Sequence, residues 1–218
     1  PTGDKDPFAL RRHALGVIRL LVEKNLPLSL PEMLAAAIPA FGELIEDPGL
    51  ALADFFQDRL AVNLREQGYS AQEVDAVLAL RPERLGDVPK RLAAVRAFAG
   101  LPEAASLAAA NKRIGNILKK AEGEVQAKVD AALLQEAAER QLAAALAEAQ
   151  PQADRLFERH EYAASLQALA VLKAPVDAFF DAVMVNAEDP ALRANRLGLL
   201  KTLHEAMNRV ADLSRLAA

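Results

Sequence analysis

The densest group of side chains that could bind a charged ligand lies in the segment ANKRIGNILKKA. The stretch between Leu107 and Ala121 contains four cations and no acid, whereas the whole chain has a formal net charge of −4. Surfaces that only interact with solvent generally mix the two signs, because oppositely charged pairs four residues apart stabilise a helix. An unmixed run of cations therefore favours an anionic partner, such as nucleic acid or phosphate.

Helical geometry predicts that these cations share one face. A helix advances about 100° per residue, so the cations and one amide fall within an arc of about 120°; we call this set the basic strip, and its members are Lys112, Arg113, Asn116, Lys119 and Lys120. The opposite arc is apolar and predicts a core-facing side. Two interpretations stay open at this point, a nucleic-acid contact and a solvated surface.

A second set of cations, near the C-terminus, has a different predicted role. The last predicted helix places Arg196 within its apolar stripe. A guanidinium there must reach solvent or find a carboxylate, since burying it unpaired costs several kcal/mol. Asp177, Asp181 and Glu188 are candidate partners. The pattern predicts a structural ion pair at Arg196 and no RNA contact.

Residue types that commonly perform catalysis are sparse. The chain has no Cys and three isolated histidines, His13, His160 and His204, none of which belongs to a zinc-protease helix. Phosphate-binding loops of the Walker or Rossmann type and a His-Asp dipeptide are also absent from the sequence. We expect no catalytic residue, no metal site and no cofactor in this segment.

Composition and punctuation predict the elements that position these residues. Hydrophobic residues make up 52% of the 218-residue chain, with two Tyr and no Trp, and the abundant Ala, Leu, Arg and Glu favour helices. Ser70 and Glu73 form a capping-box pattern. Capping residues, prolines and glycines predict helices from Asp6-Pro7 to about Lys24, around Glu32–Ile38, over Leu50–Gln67, from Ser70 to about Arg81, from Asp87 to Gly100, from Pro102 to Gly123, and over Asp130–Gln150, Pro151–Arg159, Glu161–Lys173, Pro175–Met184 and Pro190–Leu216.

The predicted fold is an all-α multi-helix bundle made of two packed helical subdomains. Gly100-Leu101-Pro102 is the best candidate boundary, which gives domains over residues 1–100 and 101–218. Because no uninterrupted apolar run approaches the ~20 residues of a membrane span, we expect no membrane partner. The chain has no Cys, which fits a reducing compartment, and we expect a cytoplasmic location. The chain begins with Pro1, and we expect it to be the C-terminal portion of a longer protein.

Several blocks in order resemble a known family. ANKRIGNILKKA, PVDAFFDAVMVNAEDPALRANRLGLL and the final VADLSRL are similar to the anticodon-binding domain of the beta subunit of bacterial glycyl-tRNA synthetase. PTGDKDPFALRRHALGVIRLL and FFQDRLAVNLREQGYSAQEVDAVLAL resemble the preceding helical part of that subunit, which follows an HD-like domain. The likeness to the DALR domain of arginyl-tRNA synthetase is more distant: Asp189, Ala191, Leu192 and Arg193 spell that motif with Pro190 inserted.

The resemblance implies an RNA-binding module of an aminoacylation enzyme. The family enzyme contains two alpha and two beta subunits, and its alpha subunit uses ATP and Mg²⁺ to activate glycine. The expected partners are therefore glycine-specific tRNA and the alpha subunit. The basic strip and Arg193 are the expected tRNA contacts. One alternative is a structural or subunit-interaction module that touches no RNA. A second is an enzymatic fragment of the HD phosphohydrolase class, against which the missing His-Asp pair speaks. A third is the anticodon-binding domain of another synthetase, such as the arginyl enzyme.

Overall fold

A computed structural model describes residues 8–217, without the side chain of Glu43. No strand occurs in this range, which confirms the all-α prediction. The helices are α1 (Leu10–Glu23), α2 (Leu30–Ala37), α3 (Gly49–Glu66), α4 (Ala71–Leu78), α5 (Val88–Ala99), α6 (Ala104–Lys119), α7 (Ala137–Glu158), α8 (Tyr162–Ala168), α9 (Lys173–Ala182) and α10 (Pro190–Met207). Short 3₁₀ turns cover Ile38–Leu44, Leu85–Asp87, Ala131–Leu133, Ala170–Leu172 and Leu213–Leu216. The start signal predicted at Asp6-Pro7 lies outside the described residues.

The chain divides into two compact units, Pro1–Leu92 and Ala93–Ala218. The division falls inside α5, whereas the predicted boundary near Gly100 lies just beyond the end of that helix. The exact domain boundary stays a prediction. Each unit contains its own apolar core.

The first unit is built on α3, which packs against α1, α2 and α4. Its α4 begins with the predicted capping box: the Ser70 N–H donates to the Glu73 carboxylate at 2.7 Å, and the Glu73 N–H donates to Ser70 Oγ at 3.2 Å. The two reciprocal bonds satisfy N–H groups that the first helical turn leaves without partners. The core of this unit includes Ile18, Leu21, Leu60, Leu64, Val74, Val77 and Leu85.

The second unit is built on α7 and α10. The helices α8, α9 and α10 pack against α7, and α6 packs against α9, α10 and the final 3₁₀ turn. The contact between α6 and α10 is what fixes the orientation of the basic strip. The largest fully buried side chains of this unit are Phe98, Leu107, Ile114, Leu142, Leu166, Leu172 and Phe179.

The prediction of separate helices on either side of Pro151 is wrong. One continuous α7 runs through this proline, and the predicted start at Asp130 is instead a 3₁₀ turn that precedes the helix. A proline inside a helix removes one N–H donor and leaves the carbonyl four residues earlier without its partner. Here that carbonyl belongs to Ala147, and both Ala147 and Pro151 are exposed, so water can bond the freed oxygen.

Two predicted helix ends lie too far along the chain. The helix α6 ends at Lys119, four residues before Gly123, and residues 120–130 form turns and loops. The helix α10 ends at Met207, where sequence periodicity predicted an end near Leu216. The α10 end has a tertiary cause, since the side chain of its capping residue Asn208 bonds to the backbone N–H of Leu213 and to Asn111.

One apolar stretch, Tyr162–Ala182, has the length and composition of a membrane span. In the structure it comprises α8 and α9, separated by a 3₁₀ turn, and both helices pack against α7. It also contains the ion pair between Lys173 and Asp177, at 2.7 Å. The apolar side chains of this stretch thus contribute to the core of the second unit. The absence of a membrane partner stays a prediction.

Candidate nucleic-acid interface

The position of the basic strip follows from what α6 buries on its other side. Leu107 and Ile114 are at most 1% exposed, and Ala110 is 9% exposed. These side chains pack toward α9, α10 and the final 3₁₀ turn. Because residues three and four positions apart lie on one face of a helix, burying this face turns the remaining residues outward.

All five members of the basic strip are exposed. The sequence-derived arc is therefore present in the structure as one continuous surface of α6. The last two members stand at the end of the helix, where Lys119 lies in the final turn and Lys120 is the capping residue. Cations at a helix C-terminus interact favourably with the helix dipole, which offsets part of their mutual repulsion.

The four cations of the strip are not neutralised by carboxylates of the described part of the protein. Among the side chains that the structure describes, no carboxylate lies within 4.0 Å of them. Other cations of the unit do have such partners: Lys201 bonds Glu205 at 3.2 Å, and Arg209 bonds Asp154 at 2.5 Å and Glu158 at 2.8 Å. The strip is thus a local excess of positive charge on an acidic chain.

A shallow depression lies along the strip. Its volume is about 350 Å³, and it is lined by Ala109, Lys112, Arg113, Asn116, Ile117 and Lys120. One side chain in it is held by another helix: the Arg113 guanidinium lies over the Phe180 ring of α9, with its central carbon 4.1 Å from the ring centroid. That distance is within the range of a cation–π contact.

An amide pair that sequence reasoning missed fixes α6 against the end of α10. Asn111 is fully buried, and its Nδ2 donates to Asn208 Oδ1 at 2.8 Å while Asn208 Nδ2 donates to Asn111 Oδ1 at 3.0 Å. Helical geometry did carry a signal, because Asn111 falls next to the apolar arc of α6 and not within the strip. The partner could not be read from the sequence, since Asn208 lies 97 residues away.

The ion pair predicted at Arg196 is present, but none of the three candidate carboxylates forms it. Arg196 is 6% exposed, and its Nε donates to Glu139 Oε1 at 2.6 Å while its Nη1 donates to the Met184 carbonyl oxygen at 2.8 Å. Asp177 is instead bonded by Lys173 and Ser106. The real partner, Glu139, is 57 residues away from Arg196 in the chain.

Glu139 also caps its own helix. Its Oε2 accepts the N–H of Glu136 at 2.7 Å, in the capping box that begins α7. Burial by itself raises the pKa of this carboxyl group, but the hydrogen bonds from Arg196 and Glu136 and the charge of Arg196 outweigh it. The pKa of Glu139 is therefore lowered. The pair joins the start of α7 to the middle of α10 and is a structural contact.

Arg193, which the resemblance implied as a tRNA contact, also bonds within the protein. Its Nη1 donates to the backbone carbonyl oxygen of Ala187 at 3.0 Å, and its side chain is half-buried. The loop before α10 is further fixed by Asp189, whose carboxylate accepts the N–H groups of Ala191 and Leu192. Part of the DALR-like motif thus shapes the start of α10. An RNA contact by Arg193 stays a prediction.

His204 lies beside the strip but adds no charge to it at neutral pH. Its ring sits against Gly115 of α6, where a side chain at position 115 would lie 3.5 Å from His204 Nε2. Burial lowers the pKa of His204, and Lys201 lowers it further, against the opposing effects of Asp212 and Glu205. The imidazole is therefore neutral at pH 7.

The connection between α6 and α7 is held on α10 by backbone contacts. Asn195 Oδ1 accepts the Asp130 N–H at 2.7 Å, and Asn195 Nδ2 donates to the Asp130 carbonyl oxygen at 3.0 Å. Next to them, Gly198 lies so close to the Lys128 carbonyl oxygen that a Cβ at position 198 would overlap it. A long irregular segment is therefore ordered by one face of α10.

Comparison with known proteins adds two family matches. The model described as glycyl-tRNA synthetase beta subunit matches residues 1–79, and the model described as DALR anticodon binding domain matches residues 107–213. The basic strip, Arg193 and the Arg196–Glu139 pair all fall inside the second match. No part of the strip lies inside the first match.

Proteins named glycine--tRNA ligase beta subunit match the whole chain. The identity is 83% to that of Leptothrix cholodnii, 72% to that of Delftia acidovorans and 70% to that of Paracidovorax citrulli, each over 100% of this chain. The chain spans 31%, 31% and 30% of those relatives, respectively, which is less than a third of their length. The position of the segment within the longer protein stays a prediction. The two family models together cover residues 1–79 and 107–213, and the identities extend over the whole of this chain. The chain therefore belongs to the glycyl-tRNA synthetase beta subunit family and contains a DALR anticodon binding domain.

Proposed function

We propose that the second unit binds the anticodon stem-loop of glycine-specific tRNA through the basic strip on α6. The observation that carries this proposal is the set of four exposed cations without carboxylate partners, inside the range that matches a DALR anticodon binding domain. An anticodon stem-loop presents backbone phosphates together with unstacked bases. Cations that the protein does not neutralise itself are available to neutralise those phosphates.

The wider role of the protein follows as part of the same proposal. The complete enzyme attaches glycine to tRNA, and the alpha subunit performs the ATP- and Mg²⁺-dependent activation of glycine. This segment contributes RNA binding and assembles with the rest of the enzyme in the cytoplasm. Within residues 8–217 no three His, Asp or Glu side chains converge as a metal site requires.

The test measures the affinity of the 218-residue chain for the glycine tRNA transcript at several salt concentrations. The double variant Lys119→Glu/Lys120→Glu should bind more weakly. Each lost phosphate contact should flatten the slope of log K against log salt by about 0.7–0.9. In the assembled enzyme, the KM for tRNA should rise while glycine-dependent pyrophosphate exchange is unchanged. If the double variant kept the wild-type affinity for tRNA at low salt, the strip would be only a solvated surface.

A matched control separates this local effect from net charge. Lys24→Glu/Lys90→Glu changes the net charge of the chain by the same amount at two exposed positions outside the DALR match. It should leave the slope at the wild-type value. Circular dichroism of both double variants should show unchanged helix content, since exposed substitutions generally change stability by less than about 0.5 kcal/mol.

A specific observation also favours a subunit-interaction role for the first unit. Leu44 is 88% exposed and Leu50 is 83% exposed, and Phe41 and Ile45 nearby are 51% and 41% exposed. Leu50 also lines an apolar cavity of about 370 Å³ between α2 and α3. Contiguous exposed apolar side chains are typical of protein contact sites. Because the relatives are about three times as long as this chain, we assign this surface to the remainder of the subunit.

The substitution Leu44→Glu tests that second role. It should leave the unfolding midpoint of the 218-residue chain unchanged, because Leu44 is exposed there. In the full-length subunit it should lower the midpoint, because a carboxylate would then be buried at a contact. An equal midpoint for wild type and variant in the full-length subunit would refute the assignment.

A further inference from the structure

The contact between Arg113 and Phe180 is unusual within the strip because it fixes one cation in place. Phe180 is half-buried on α9, and its ring meets that of Phe179 edge to face, with 5.6 Å between the centroids and an angle of 82°. Phe179 is fully buried. The guanidinium of Arg113 therefore rests on a ring that is itself anchored to the core, while the other three cations of the strip have no such support.

The Arg113 side chain contacts the Phe180 ring and is still open to solvent. Arg113 is exposed although its planar group lies 4.1 Å from the Phe180 centroid. The plane of an arginine stacks well on aromatic rings and on nucleobases, whereas the ammonium of a lysine acts as a point charge. Phosphate neutralisation needs only the charge, so the ordered plane indicates a different kind of contact.

The depression beside Arg113 offers what a single base would need. It measures about 350 Å³ and is open to solvent, so a base that enters it keeps one side exposed. Ala109 and Ile117 supply an apolar floor, and the Asn116 amide can both donate to and accept from a base edge. Lys112 and Lys120 stand in the same lining, where a flanking phosphate would lie.

We propose that this depression is a subsite for one unpaired nucleobase of a single-stranded RNA loop, which stacks on Arg113 so that the guanidinium lies between the base and the Phe180 ring. Phe180 is then a positioning residue, and Asn116 bonds the edge of the base. The proposal rests on the proposed function, since it gives one member of the basic strip a separate role. A base inside a duplex is excluded because both of its faces are already stacked.

The decisive variant is Arg113→Lys, which keeps the charge and removes the plane. The probes are the anticodon stem-loop of glycine tRNA and a fully paired RNA duplex with the same number of phosphates. Stacking of one base contributes enough that its loss should raise the Kd for the stem-loop by about 5- to 20-fold. The Kd for the duplex and the salt slope for both probes should be unchanged.

A spectroscopic readout reports on the stacked base itself. Stem-loops with 2-aminopurine at single loop positions should show, at one position, a fluorescence change on binding to wild type. That change should be absent with Arg113→Lys and reduced with Phe180→Leu. Should Phe180→Leu prove poorly folded by circular dichroism, Asn116→Ala supplies the second variant. It should weaken the stem-loop and not the duplex.

The outcomes separate the two proposals. Wild-type stem-loop affinity in Arg113→Lys, together with weakened binding in Lys119→Glu/Lys120→Glu, would overturn the base subsite and leave the proposed function standing. A flatter salt slope in Arg113→Lys, with weaker duplex binding, would also overturn the subsite, because Arg113 would then act on phosphate. If Lys119→Glu/Lys120→Glu has no effect, the proposed function fails first.

Discussion

The helices α6 and α10 pack against each other, and both carry several cations, but the protein uses those cations differently. On α10, Arg193 bonds the Ala187 carbonyl oxygen, Arg196 bonds Glu139, and Lys201 bonds Glu205. On α6, the four cations of the strip face solvent without carboxylate partners among the described side chains. On α10, carboxylates of the protein neutralise Arg196 and Lys201, and a carbonyl oxygen holds Arg193. On α6, the charge of the strip can still be neutralised by a ligand.

The comparison teaches that the number of cations on a helix says little about binding. What matters is whether the fold already supplies the counter-charge. An arginine that is bonded inside the protein must break those hydrogen bonds before it can contact phosphate. Breaking a hydrogen bond to a charged group costs about 1.5–3 kcal/mol. Four predictions test this distinction, in order of decreasing effect on stability.

The largest effect should come from Arg196→Ala. Glu139 is fully buried, so its carboxylate would be left without its main partner, which typically costs about 3–5 kcal/mol. Urea unfolding at pH 7 measures the loss. Lys201→Ala is the control on the same helix, and its partly exposed pair with Glu205 should contribute less than about 1 kcal/mol. A variant that keeps wild-type stability but loses RNA affinity would reverse the role assigned to Arg196.

The second effect is the pH dependence of the same pair. Because the folded-state pKa of Glu139 is lowered, its contribution to stability is fully present above the unfolded-state value of about 4.3 and is lost as the pH falls through the folded-state value. The difference in unfolding free energy between wild type and Glu139→Gln should therefore be constant from about pH 7 to pH 5.5 and shrink below about pH 4.3. A difference that grows in acid would contradict a lowered pKa.

A smaller loss should follow from Arg193→Ala. Removing the hydrogen bond to the Ala187 carbonyl oxygen should cost about 1 kcal/mol, since the side chain is only half-buried. Because this cation is bonded within the protein, we expect the salt slope of RNA binding to stay at the wild-type value. A slope flattened by about 0.7–0.9 would instead support the direct tRNA contact that the resemblance implied for Arg193.

The smallest effect on stability should come from Lys112→Ala. With an exposed side chain and no described partner, the substitution should change the unfolding free energy by less than about 0.5 kcal/mol. The same substitution should flatten the salt slope of RNA binding by about 0.7–0.9. A stability loss comparable to that of Arg193→Ala would remove the contrast between the two helices.

Local pattern predicted the all-α class, the capping box and the exposed arc of the strip, because each depends on residues within a few positions of one another. The capping box at Ser70 and Glu73 and the exposed arc of α6 are of this kind. Pro151 misled the prediction because tolerance of an interior proline depends on whether the freed carbonyl meets water, which periodicity does not report. The match of a DALR model to 107–213 agrees with the resemblance found in the sequence blocks.

Pairings across the fold could not be predicted. The partner of Arg196, the bond between Asn111 and Asn208, and the support of Arg113 by Phe180 each join residues that are dozens of positions apart. The sequence indicated that Arg196 needed a carboxylate, which was right, but several acids satisfied that requirement equally. Only the packing of α7 on α10 selects Glu139.

The attachment of the α6–α7 connection to α10 has a consequence for synthesis on the ribosome. The backbone of Asp130 forms two hydrogen bonds with the side chain of Asn195, which lies 65 positions later in the chain. At about 5–20 residues per second, translation reaches that residue roughly 3–13 seconds after Asp130. During this interval the α6–α7 connection lacks its partners on α10, and the core of the second unit is incomplete. The second unit should therefore become protease-resistant only after α10 has emerged, which arrested nascent chains of increasing length can show.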